Sequence, residues 1–336
     1  MYSVLTIGTA TRDVFVTSDA FQVLKDPAHL KSIGFPTGEA QCVALGSKVP
    51  VDRLEYAVGG GAANAAVTFS RLGFRTSALF RVGDDGPGDM VVAGLKREKV
   101  RPIVVRDPKE TTGYGIILRG GGGGERTILS YRGAANGLKE KEISFSKLRA
   151  HAVYIVPGSI SFGVIERLVM TLAKQGTFLA MNPSQHYADM GINKLKPILR
   201  KLQVVVMNRE EASALTGVPY DDERGIFRKF DEVVPGIAVM TEGPSGALVS
   251  DGQFLYRSGV FKEKELVDRT GAGDAFGSGF VAGLLEKNDV HYALRIASAN
   301  ATSVVEHVGA HAGALTKDSF GRGKRWKYLD LDVEPL

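Results

Sequence analysis

The sequence predicts an α/β protein in which a doubly wound, mostly parallel sheet is flanked by helices and carries a small β-sheet lid. Three observations lead to this prediction. Short apolar segments alternate with helical segments from residue 153 onward, which is typical of a parallel sheet with helices on both faces. An apolar run near the N-terminus ends in glycine, as a buried first strand does. Two segments rich in glycine, proline or short β runs interrupt the alternation.

The elements of the first hundred residues are assigned from apolar spacing. Val4–Gly8 is a short apolar run and the predicted first strand. Gly60–Leu72 is a predicted helix, because its alanines, phenylalanine and leucine recur at helical spacing and Gly73 follows as a cap. The other elements of this part are a strand at Ala78–Val82, a helix at Met90–Glu98 and a strand at Val100–Val105.

The second half of the chain supplies the strand–helix alternation itself. The predicted strands are Val153–Val156, Phe178–Asn182, Val204–Asn208 and Ile237–Thr241. The predicted helices are Phe162–Gln175, Ile192–Leu202 and Glu210–Leu215. Short strands that alternate with helices in this way predict a parallel order in the sheet.

The lid is predicted from the two interrupting segments. Tyr114–Leu118 and Thr127–Tyr131 flank the run Gly120–Gly124 and predict a β-hairpin with a glycine tip. We therefore divide the chain into a large α/β domain, residues 1–16, 56–102 and 136–330, and an inserted β lid, residues 17–55 and 103–135.

Composition excludes several classes of protein. The chain of 336 residues is 44% hydrophobic and 24% charged, which is the balance of a globular protein with a sizeable core. Its single cysteine, Cys42, cannot form an intramolecular disulfide, and this fits a reducing compartment. The N-terminus lacks the features of a signal peptide, and no stretch approaches the roughly 20 apolar residues of a membrane span. We expect a cytoplasmic protein.

The net charge of +5 is compatible with binding of nucleic acid or of phosphorylated anions. Basic residues are dispersed, apart from one cluster near the C-terminus that acidic residues follow directly. No helix-turn-helix, zinc-finger or RNP pattern accompanies this cluster, so we expect a solvated tail and no nucleic-acid partner. The cluster consists of Lys317, Arg322, Lys324, Arg325 and Lys327.

The strongest local signal for chemistry is Asp268-Arg-Thr-Gly-Ala-Gly-Asp274. The backbone of Gly271, Ala272 and Gly273 can approach an anion closely at the start of a helix, where the dipole adds about half a positive charge. Such a turn stabilises a phosphoryl group in transfer, and Asp274 is placed to accept a proton from an attacking hydroxyl. An ordinary capped helix after a glycine turn has the same pattern, so the chemistry alone leaves both interpretations open.

Other nucleotide-binding and metal motifs do not match. Phe276 stands where a dinucleotide-binding fingerprint requires its third glycine. Gly323-Lys324 lacks the upstream glycine of a Walker A motif. The histidines show no metal-ligand spacing, which argues against a zinc site.

Four motifs, in order along the chain, resemble those of the PfkB (ribokinase-like) carbohydrate kinases. Asp268–Asp274 resembles the C-terminal signature of that family, and the segment from Val58-Gly-Gly-Gly-Ala-Ala-Asn64 to Gly86 resembles its N-terminal signature. Asn208-Arg-Glu-Glu211 resembles the N-x-x-E motif, and Thr241-Glu-Gly-Pro-Ser-Gly246 resembles the nucleotide-binding turn. The resemblance covers nearly the whole chain. It implies a ribokinase-like fold and ATP-dependent phosphorylation of a hydroxyl on a sugar or sugar derivative.

The resemblance also implies roles on the nucleotide side. Asp274 is the expected general base, and the backbone of Gly271–Gly273 is the expected anion hole. Asn208 and Glu211 are expected to organise Mg²⁺ and the phosphates through water. Glu211 also fits a first-turn glutamate that stabilises its helix. The remaining expected contacts to ATP are Thr241, Gly243, Gly246 and, near the adenine or ribose, Asn300.

On the substrate side, the resemblance implies that Asp13 binds adjacent hydroxyl groups and that Gly60 and Asn64 line the same pocket. Asn64 is alternatively a helix cap. Asp268 and Thr270 are candidates for a monovalent-cation site, such as K⁺. The expected partner is a small sugar or nucleoside.

The sequence departs from ribokinase itself, and several functions stay open. Gly61 stands where ribokinase carries a lysine, and Arg126 and Arg132, on or after the lid hairpin, are candidates to select an anionic substrate. Ribose is therefore doubtful as the substrate. A nucleoside (adenosine-like) kinase is the alternative within the class, and a non-catalytic ligand-binding or regulatory protein is the alternative outside it. The exposed lid strands predict a homodimer formed through the lid.

Overall fold

A large sheet forms the centre of the fold. The computed structural model describes residues 3–35, 37–120 and 126–336. Within these residues, seven neighbouring strands run parallel and three antiparallel strands extend one edge of the sheet. In spatial order the strands are β16 (Leu331–Pro335), β15 (Phe254–Ser258), β14 (Ala247–Ser250), β13 (Ile237–Thr241), β12 (Val204–Asn208), β11 (Phe178–Met181), β10 (Ala152–Val156), β1 (Ser3–Gly8), β6 (Arg75–Gly83) and β7 (Arg101–Asp107).

Helices cover both faces of this sheet, which confirms the predicted doubly wound α/β class. Successive strand residues point to opposite faces, so Leu5 and Ile7 join one hydrophobic cluster and Val4 joins another. The helices are α1 (Pro27–Ser32), α2 (Gly61–Arg71), α3 (Gly86–Arg97), α4 (Phe162–Lys174), α5 (Gln185–Ala188), α6 (Ile192–Leu199), α7 (Arg209–Thr216), α8 (Glu223–Asp231), α9 (Ala272–Lys287), α10 (Val290–Val305) and α11 (Lys317–Arg322). In the described residues no helix is long and apolar enough to cross a membrane.

The first cluster packs α4, α6, α7 and α8 against the sheet, with side chains such as Leu168, Leu199 and Phe227 fully buried. The second cluster packs α2, α9 and α10 against the other face around Phe69 and Phe280. Because α2 and α9 lie on the same face, their N-terminal ends can meet at one edge of the sheet. This arrangement positions the candidate site described below.

Most predicted elements are confirmed, with shifted ends. The helix predicted from Met90 begins at Gly86, because the Asp85 side chain accepts a hydrogen bond from the Gly88 N–H at 2.8 Å and Pro87 lies in the first turn. The helix predicted to reach Leu202 ends at Leu199.

A four-stranded sheet forms the lid. Its strands, in spatial order, are β5 (Arg53–Gly59), β2 (Thr11–Ser18), β8 (Tyr114–Gly120) and β9 (Arg126–Tyr131). The predicted hairpin is present as the antiparallel pair β8 and β9. Of the predicted glycine tip Gly120–Gly124, Gly120 ends β8 and residues 121–124 lie outside the described residues. A separate pair, β3 (Gln22–Lys25) and β4 (Glu39–Cys42), accompanies this sheet.

The strand pairing changes the predicted boundaries of the lid. Residues 11–16 and 56–59 lie in β2 and β5 of the lid sheet, although we assigned them to the large domain. Conversely, β7 pairs in parallel with β6 and belongs to the large sheet. The apolar side chains of Ile103 and Val105 pack against the first core cluster, and this burial holds β7 there.

The C-terminal segment is not the solvated tail that we predicted. Trp326 is buried, and the chain then forms β16, which pairs antiparallel with β15. Three cations of the basic cluster are paired with carboxylates: Arg325 with Glu306 at 2.5 Å, Lys317 with Glu286 at 2.9 Å and Arg322 with Asp318 at 3.8 Å. The segment is therefore held to the body of the protein through Trp326 and β16, while most of its basic side chains stay exposed.

Candidate active site

Asp274 lies in the first turn of α9, after a tight glycine turn. Gly271 has a left-handed backbone with φ of 78°, which a residue with a side chain rarely adopts. A side chain at Gly271 would also collide with Ala310. We refer to the backbone of residues 271–274 as the anion nest.

The anion nest has free hydrogen-bond donors. In the described part of the chain, the N–H groups of Gly273 and Asp274 have no backbone or side-chain acceptor, as expected at a helix N-terminus. The N–H of Ala272 instead donates to the Arg269 carbonyl at 3.3 Å, so it contributes less than predicted. A Cβ atom at Gly273 would meet no other atom within 4 Å, and this side of the nest is open to an anion.

Asn64 holds the Asp274 carboxylate in place. Its Nδ2 donates to Oδ2 of Asp274 at 2.7 Å. Burial raises the pKa of Asp274 above the ordinary value of 3.8, and the hydrogen bond from Asn64 opposes part of that rise. A raised pKa makes the ionised Asp274 a stronger base than a solvent-exposed aspartate.

The beginning of α2 is shaped around Thr9, not around Asn64. The hydroxyl of Thr9 accepts from the Gly61 N–H at 3.2 Å, and its carbonyl accepts from the Ala62 N–H at 3.2 Å. Gly60 has a φ of 91° and lies against this backbone. The side chain of Asn64 is consequently free for Asp274, which removes the alternative that Asn64 is a helix cap.

Gly61 leaves no room for a side chain beside Asp274. A Cβ atom at this position would collide with Val156 and would lie 3.2 Å from Oδ1 of Asp274. Close packing around Asp274 therefore requires glycine at position 61, where ribokinase carries a lysine.

His311 completes a hydrogen-bonded chain that the sequence analysis did not predict. Its Nε2 lies 2.7 Å from Oδ1 of Asn64. Burial lowers the pKa of His311 to about 4, and the nearby Arg71 guanidinium adds to this effect while Glu98 opposes it. His311 is thus neutral at pH 7. The chain runs from His311 through Asn64 to Asp274.

Asp13 faces the same site from the lid, where it lies on β2. Thr11 Oγ1 donates to Oδ1 of Asp13 at 2.8 Å. Side chains at Gly59 or Gly115 would collide with the carboxylate, so both flanking strands need glycine there. Burial raises the pKa of Asp13, and the charge of Asp274 contributes to the rise. The carboxylates of Asp13 and Asp274 are therefore within electrostatic reach of each other.

Asn208 and Glu211 form a capping box at the start of α7. Oδ1 of Asn208 accepts from the Glu211 N–H at 2.8 Å, and the Asn208 N–H donates to Oε2 of Glu211 at 3.1 Å. Burial raises the pKa of Glu211 to about 7, and the charges of Asp274 and Glu210 also raise it. Glu211 therefore has the structural role and also lies within electrostatic reach of Asp274.

These residues fit a hydrated Mg²⁺ better than a directly coordinated one. Oε1 of Glu211 has no hydrogen-bond partner among the described residues, whereas Oε2 and the Asn208 side chain serve the capping box. Within the same residues, no group of three or more His, Cys, Asp or Glu side chains could hold a metal. One free carboxylate oxygen suits an ion that keeps most of its own water.

The turn after β13 lies beside Asn208. Asn208 and Thr241 are opposite each other at the carboxyl ends of the parallel strands β12 and β13, where α/β sheets bind ligands. Gly246 has a φ of 100°, and a side chain there would collide with the Ser258 carbonyl. Gly243 has a φ of 56° and is open on its Cβ side.

An ion pair that the sequence analysis missed joins these two segments. The Arg209 guanidinium contacts the carboxylate of Glu242, and both side chains are largely buried. Arg209 directly follows Asn208, and Glu242 directly follows Thr241. The pair therefore fixes the start of α7 relative to the turn after β13.

Comparison with known proteins decides the family. The model of the pfkB family of carbohydrate kinases matches residues 32–317. The chain belongs to this family. This pfkB kinase is 24% identical over 275 residues to an ATP-dependent 6-phosphofructokinase of Thermoanaerobacterium thermosaccharolyticum, covering 79% of this chain and 84% of that protein. It is 28% identical to a nucleoside kinase of Methanothermobacter thermautotrophicus, covering 77% and 82%.

Solved structures agree with the fold. The ribokinase of Arabidopsis thaliana, complexed with ribose and ATP, matches with a TM-score of 0.76 and 20% identity, over 97% of this chain and 99% of that one. The predicted ribokinase-like fold and family are thus confirmed. The protein is an ATP-dependent kinase that acts on a sugar or a nucleoside.

The side chain of Asn300 in this pfkB kinase forms its hydrogen bonds within the protein. Its side chain is fully buried within α10. Nδ2 donates to the Ala275 carbonyl at 2.9 Å and to Thr68 Oγ1 at 3.3 Å, and Oδ1 accepts from the Leu315 N–H at 2.8 Å. With these bonds the amide joins α10 to α2 and α9. We therefore withdraw Asn300 from the predicted nucleotide contacts.

The side-chain oxygens of Asp268, one of the two candidates for a monovalent-cation site, form hydrogen bonds within the protein. Oδ1 of Asp268 accepts from the N–H and hydroxyl of Thr270 at 3.0 and 2.7 Å, and Oδ2 accepts from the Gly309 N–H at 2.9 Å. Arg126 Nε lies 3.8 Å from Oδ1 and supplies a positive charge there. The Asp268 carboxylate oxygens are thus occupied, the monovalent-cation site stays a prediction, and we assign no step to K⁺.

A cavity of about 170 Å³ lies away from these residues. It is formed by α9, α10 and the C-terminal segment, with Tyr292, Arg295, Phe320 and Trp326 in its walls. None of the predicted site residues lines it, so we do not place the substrate there.

Proposed function

We propose that this kinase transfers the γ-phosphoryl group of ATP to a hydroxyl of a sugar or sugar derivative, with Asp274 as the general base. The observation that carries this proposal is the position of Asp274 in the anion nest. A buried carboxylate with a raised pKa lies beside free backbone N–H groups on an open face. An attacking hydroxyl needs a proton acceptor and the transferred group needs anion stabilisation, and both are present at one point.

In the proposed reaction, the substrate hydroxyl donates its proton to Asp274 while its oxygen attacks the γ-phosphorus, and the bond from that phosphorus to the bridging oxygen breaks so that ADP leaves. The anion nest stabilises the charge that the phosphoryl oxygens carry during transfer. Asn64 keeps the Asp274 carboxylate in one orientation through its 2.7 Å hydrogen bond. Asn208 and Glu211 would hold Mg²⁺ through water, and the ion would neutralise phosphate charge.

The nucleotide would lie along the carboxyl ends of β12 and β13. Thr241 and Gly243 are the proposed contacts, since Gly243 presents open backbone to a ligand. Gly246 is proposed to shape the turn rather than to touch ATP, because its Cβ side faces the Ser258 carbonyl. The Arg209–Glu242 ion pair would keep the turn in register with α7.

Asp13 is proposed to bind the substrate through hydrogen bonds to its carboxylate, and Gly60 and Asn64 are proposed to line the same pocket. A buried carboxylate is costly unless hydrogen bonds complete its shell, and vicinal hydroxyls can supply them. A free sugar and the ribose of a nucleoside both carry such a diol. The nucleoside kinase among the relatives keeps a nucleoside as the second candidate substrate.

Turnover of ATP with a panel of sugars, sugar acids and nucleosides tests the proposal. We expect one substrate group to stimulate ADP release well above the rate without acceptor, and Asp274→Asn to remove that stimulation. Stimulation by nucleosides alone would replace the sugar by the second candidate. ATP binding without stimulation by any acceptor would favour a non-catalytic protein of this fold.

The lid is proposed to close over the substrate and exclude water. Large apolar side chains are exposed on its strands, which supports a homodimer formed through the lid: Leu54, Tyr56, Ile128, Leu129 and Tyr131. Such a kinase would act in the cytoplasm, where ATP and small metabolites are present.

A further inference from the structure

His311 lies behind Asn64 in a chain of hydrogen bonds that ends at the proposed base. The link from His311 Nε2 to Asn64 Oδ1 and the link from Asn64 Nδ2 to Asp274 Oδ2 are each 2.7 Å long. Both are short for N–H···O bonds. Asn64 is buried, so water does not readily replace either partner.

The chemistry of the chain fixes the state of each member. An ionised carboxylate only accepts hydrogen bonds, so the amide nitrogen of Asn64 must face Asp274. Its oxygen is then left for His311, and only a protonated Nε2 can donate to it. His311 is therefore the Nε2–H tautomer.

Arg71 fixes the backbone that carries this ring. We refer to residues 309–314 as the His311 loop. The Arg71 Nη1 group donates to the carbonyls of His311, Ala312 and Ala314, at 2.7, 3.3 and 3.0 Å. Its other nitrogens form a two-bond ion pair with Glu98. Since Arg71 and Asn64 both lie on α2, one helix holds the loop by its backbone and by its side chain.

Burial, and not the surrounding charge, favours a neutral His311 ring. Arg71 and Glu98 face His311 with opposite signs, and burial lowers the pKa of His311 to about 4. Asp274 is faced by the titratable groups Asp13, Glu211 and Tyr154, whose own pKa values its charge raises. The hydrogen bond to the Asp274 carboxylate comes from the Asn64 amide and not from these titratable groups.

We propose that His311 is a positioning residue for the base: by donating to Asn64 Oδ1 it locks the amide with its N–H groups toward Asp274. This inference rests on the proposed function of Asp274. Without the donor, the Asn64 amide can turn over and present its oxygen to the carboxylate. Two acceptors then face each other, which displaces the carboxylate and disfavours its ionised form.

A pair of substitutions separates the donor from the bulk of the side chain. His311→Leu keeps apolar volume and removes the donor, whereas His311→Gln keeps an N–H donor at a similar reach. We expect His311→Leu to lower kcat by about 10- to 100-fold, the effect of a slightly misplaced catalytic group, with little change in the KM for ATP. Its acidic limb of kcat/KM should move to higher pH. His311→Gln should keep most of the wild-type kcat, and the acidic limb of its kcat/KM profile should lie at the wild-type pH.

Equal loss in both variants, or wild-type kcat in His311→Leu, would overturn the positioning role. An activity-independent measurement keeps the inference separate from the proposed function. The ¹⁵N shifts of the His311 ring should report the Nε2–H tautomer from pH 5 to pH 8 in the wild-type protein. An Nδ1–H tautomer or a charged ring at pH 7 would contradict the inference even if the kinase activity is established, and absence of turnover with every acceptor would count against the proposed function alone.

Discussion

Three carboxyl groups at the site share one physical property. Burial raises the pKa values of Asp13, Glu211 and Asp274, and for Asp13 and Glu211 the charge of Asp274 adds to the effect. Burying carboxylates near one another costs free energy unless ligands supply hydrogen bonds or positive charge. The three residues arrive from the lid sheet, from α7 and from α9, so the site is assembled by the fold and not by one segment.

Gly273 provides a test of the anion nest at the scale of one residue. A Cβ atom there meets no protein atom within 4 Å, so Gly273→Val should fold normally while its side chain fills the space of the phosphoryl group. We expect turnover to fall below about 1% of wild type, a loss comparable to that of oxyanion-hole donors. Thermal unfolding is the control, and full activity at an unchanged melting temperature would rule out an anion hole at this turn.

Asp13 tests the placement of the substrate. Asp13→Ala should remove hydrogen bonds to a charged group, worth about 1.5–3 kcal/mol, which is a loss of roughly 10- to 150-fold in kcat/KM for the acceptor. The KM for ATP should hardly change, because the proposed nucleotide contacts lie at β12 and β13.

A deoxy analogue of the substrate gives the matched control for Asp13. If Asp13 grips a vicinal diol, the wild-type enzyme discriminates against the analogue and the mutant does not. The same discrimination by both proteins would make Asp13 a structural residue.

Motif residues were predictable from the sequence because each motif is local. Asp274, Asn64, Asp13 and Glu211 are proposed from their motifs without knowledge of their contacts. His311 was missed because its partner Asn64 is 247 residues away in the sequence, and no local pattern reports that contact. Asn300 is withdrawn for a related reason: an asparagine inside a helix looks the same in sequence whether it binds a ligand or joins helices by hydrogen bonds.

At the scale of elements, the His311 loop connects three parts of the site. Ala310 packs on Gly271 of the anion nest, Gly309 lies near Phe15 of the lid, and the Gly309 N–H donates to Asp268 at 2.9 Å. The lid hairpin reaches the same region, since Arg119 donates to the Val267 carbonyl at 2.8 Å. The loop is therefore placed to keep the lid and the nest in register.

The exposed apolar strands of the lid predict a dimer. Leu129 is 50% exposed on β9. Burying such side chains against a second lid would remove apolar surface and an unpaired sheet edge from water. Light scattering of the wild-type protein should give about twice the chain mass, and Leu129→Glu should shift it toward the monomer. Tyr328→Glu is the control, because Tyr328 is 90% exposed outside the lid. A monomeric wild type at high concentration would defeat this prediction.

The elements of the parallel core were predictable, and the lid boundaries were not. Buried strands such as Val153–Val156 and Val204–Asn208 are continuous apolar runs, and burial on both faces enforces that pattern. In contrast, β2 and β7 resemble each other in sequence, yet they join different sheets. Only the packing of their side chains decides between the two sheets.

For the molecule as a whole, His311 predicts a dependence of stability on pH. Its folded-state pKa of about 4 lies below its ordinary value of 6.5, so the unfolded chain binds a proton that the folded chain does not. This contribution is present above pH 6.5 and is lost as the pH falls toward 4. The shift of Glu211 to about 7 acts in the opposite sense, because its contribution is lost as the pH rises from 4.5 to 7.

Comparison with His311→Gln isolates the histidine, since both proteins keep Glu211. The difference in free energy of unfolding between wild type and variant, measured by urea denaturation, should change in favour of the variant from pH 6.5 to pH 4. A difference that stays constant over this range would show that His311 titrates alike in both states.

Some features of the whole molecule follow from the pattern of the sequence, and others depend on contacts that form only in the folded chain. The doubly wound class followed from the alternation of strands and helices. The packing of the C-terminal segment did not, because charges that look like a solvated cluster form ion pairs with Glu286 and Glu306 only after folding.

The central claim is that Asp274 removes the proton from the substrate hydroxyl. The most direct measurement is kcat of Asp274→Asn, which keeps the size of the side chain and the N-terminal turn of α9. Loss of the base should lower kcat by about 10²–10⁴-fold while the Kd for ATP stays close to that of the wild type. A variant that retains more than half of the wild-type kcat would contradict the account.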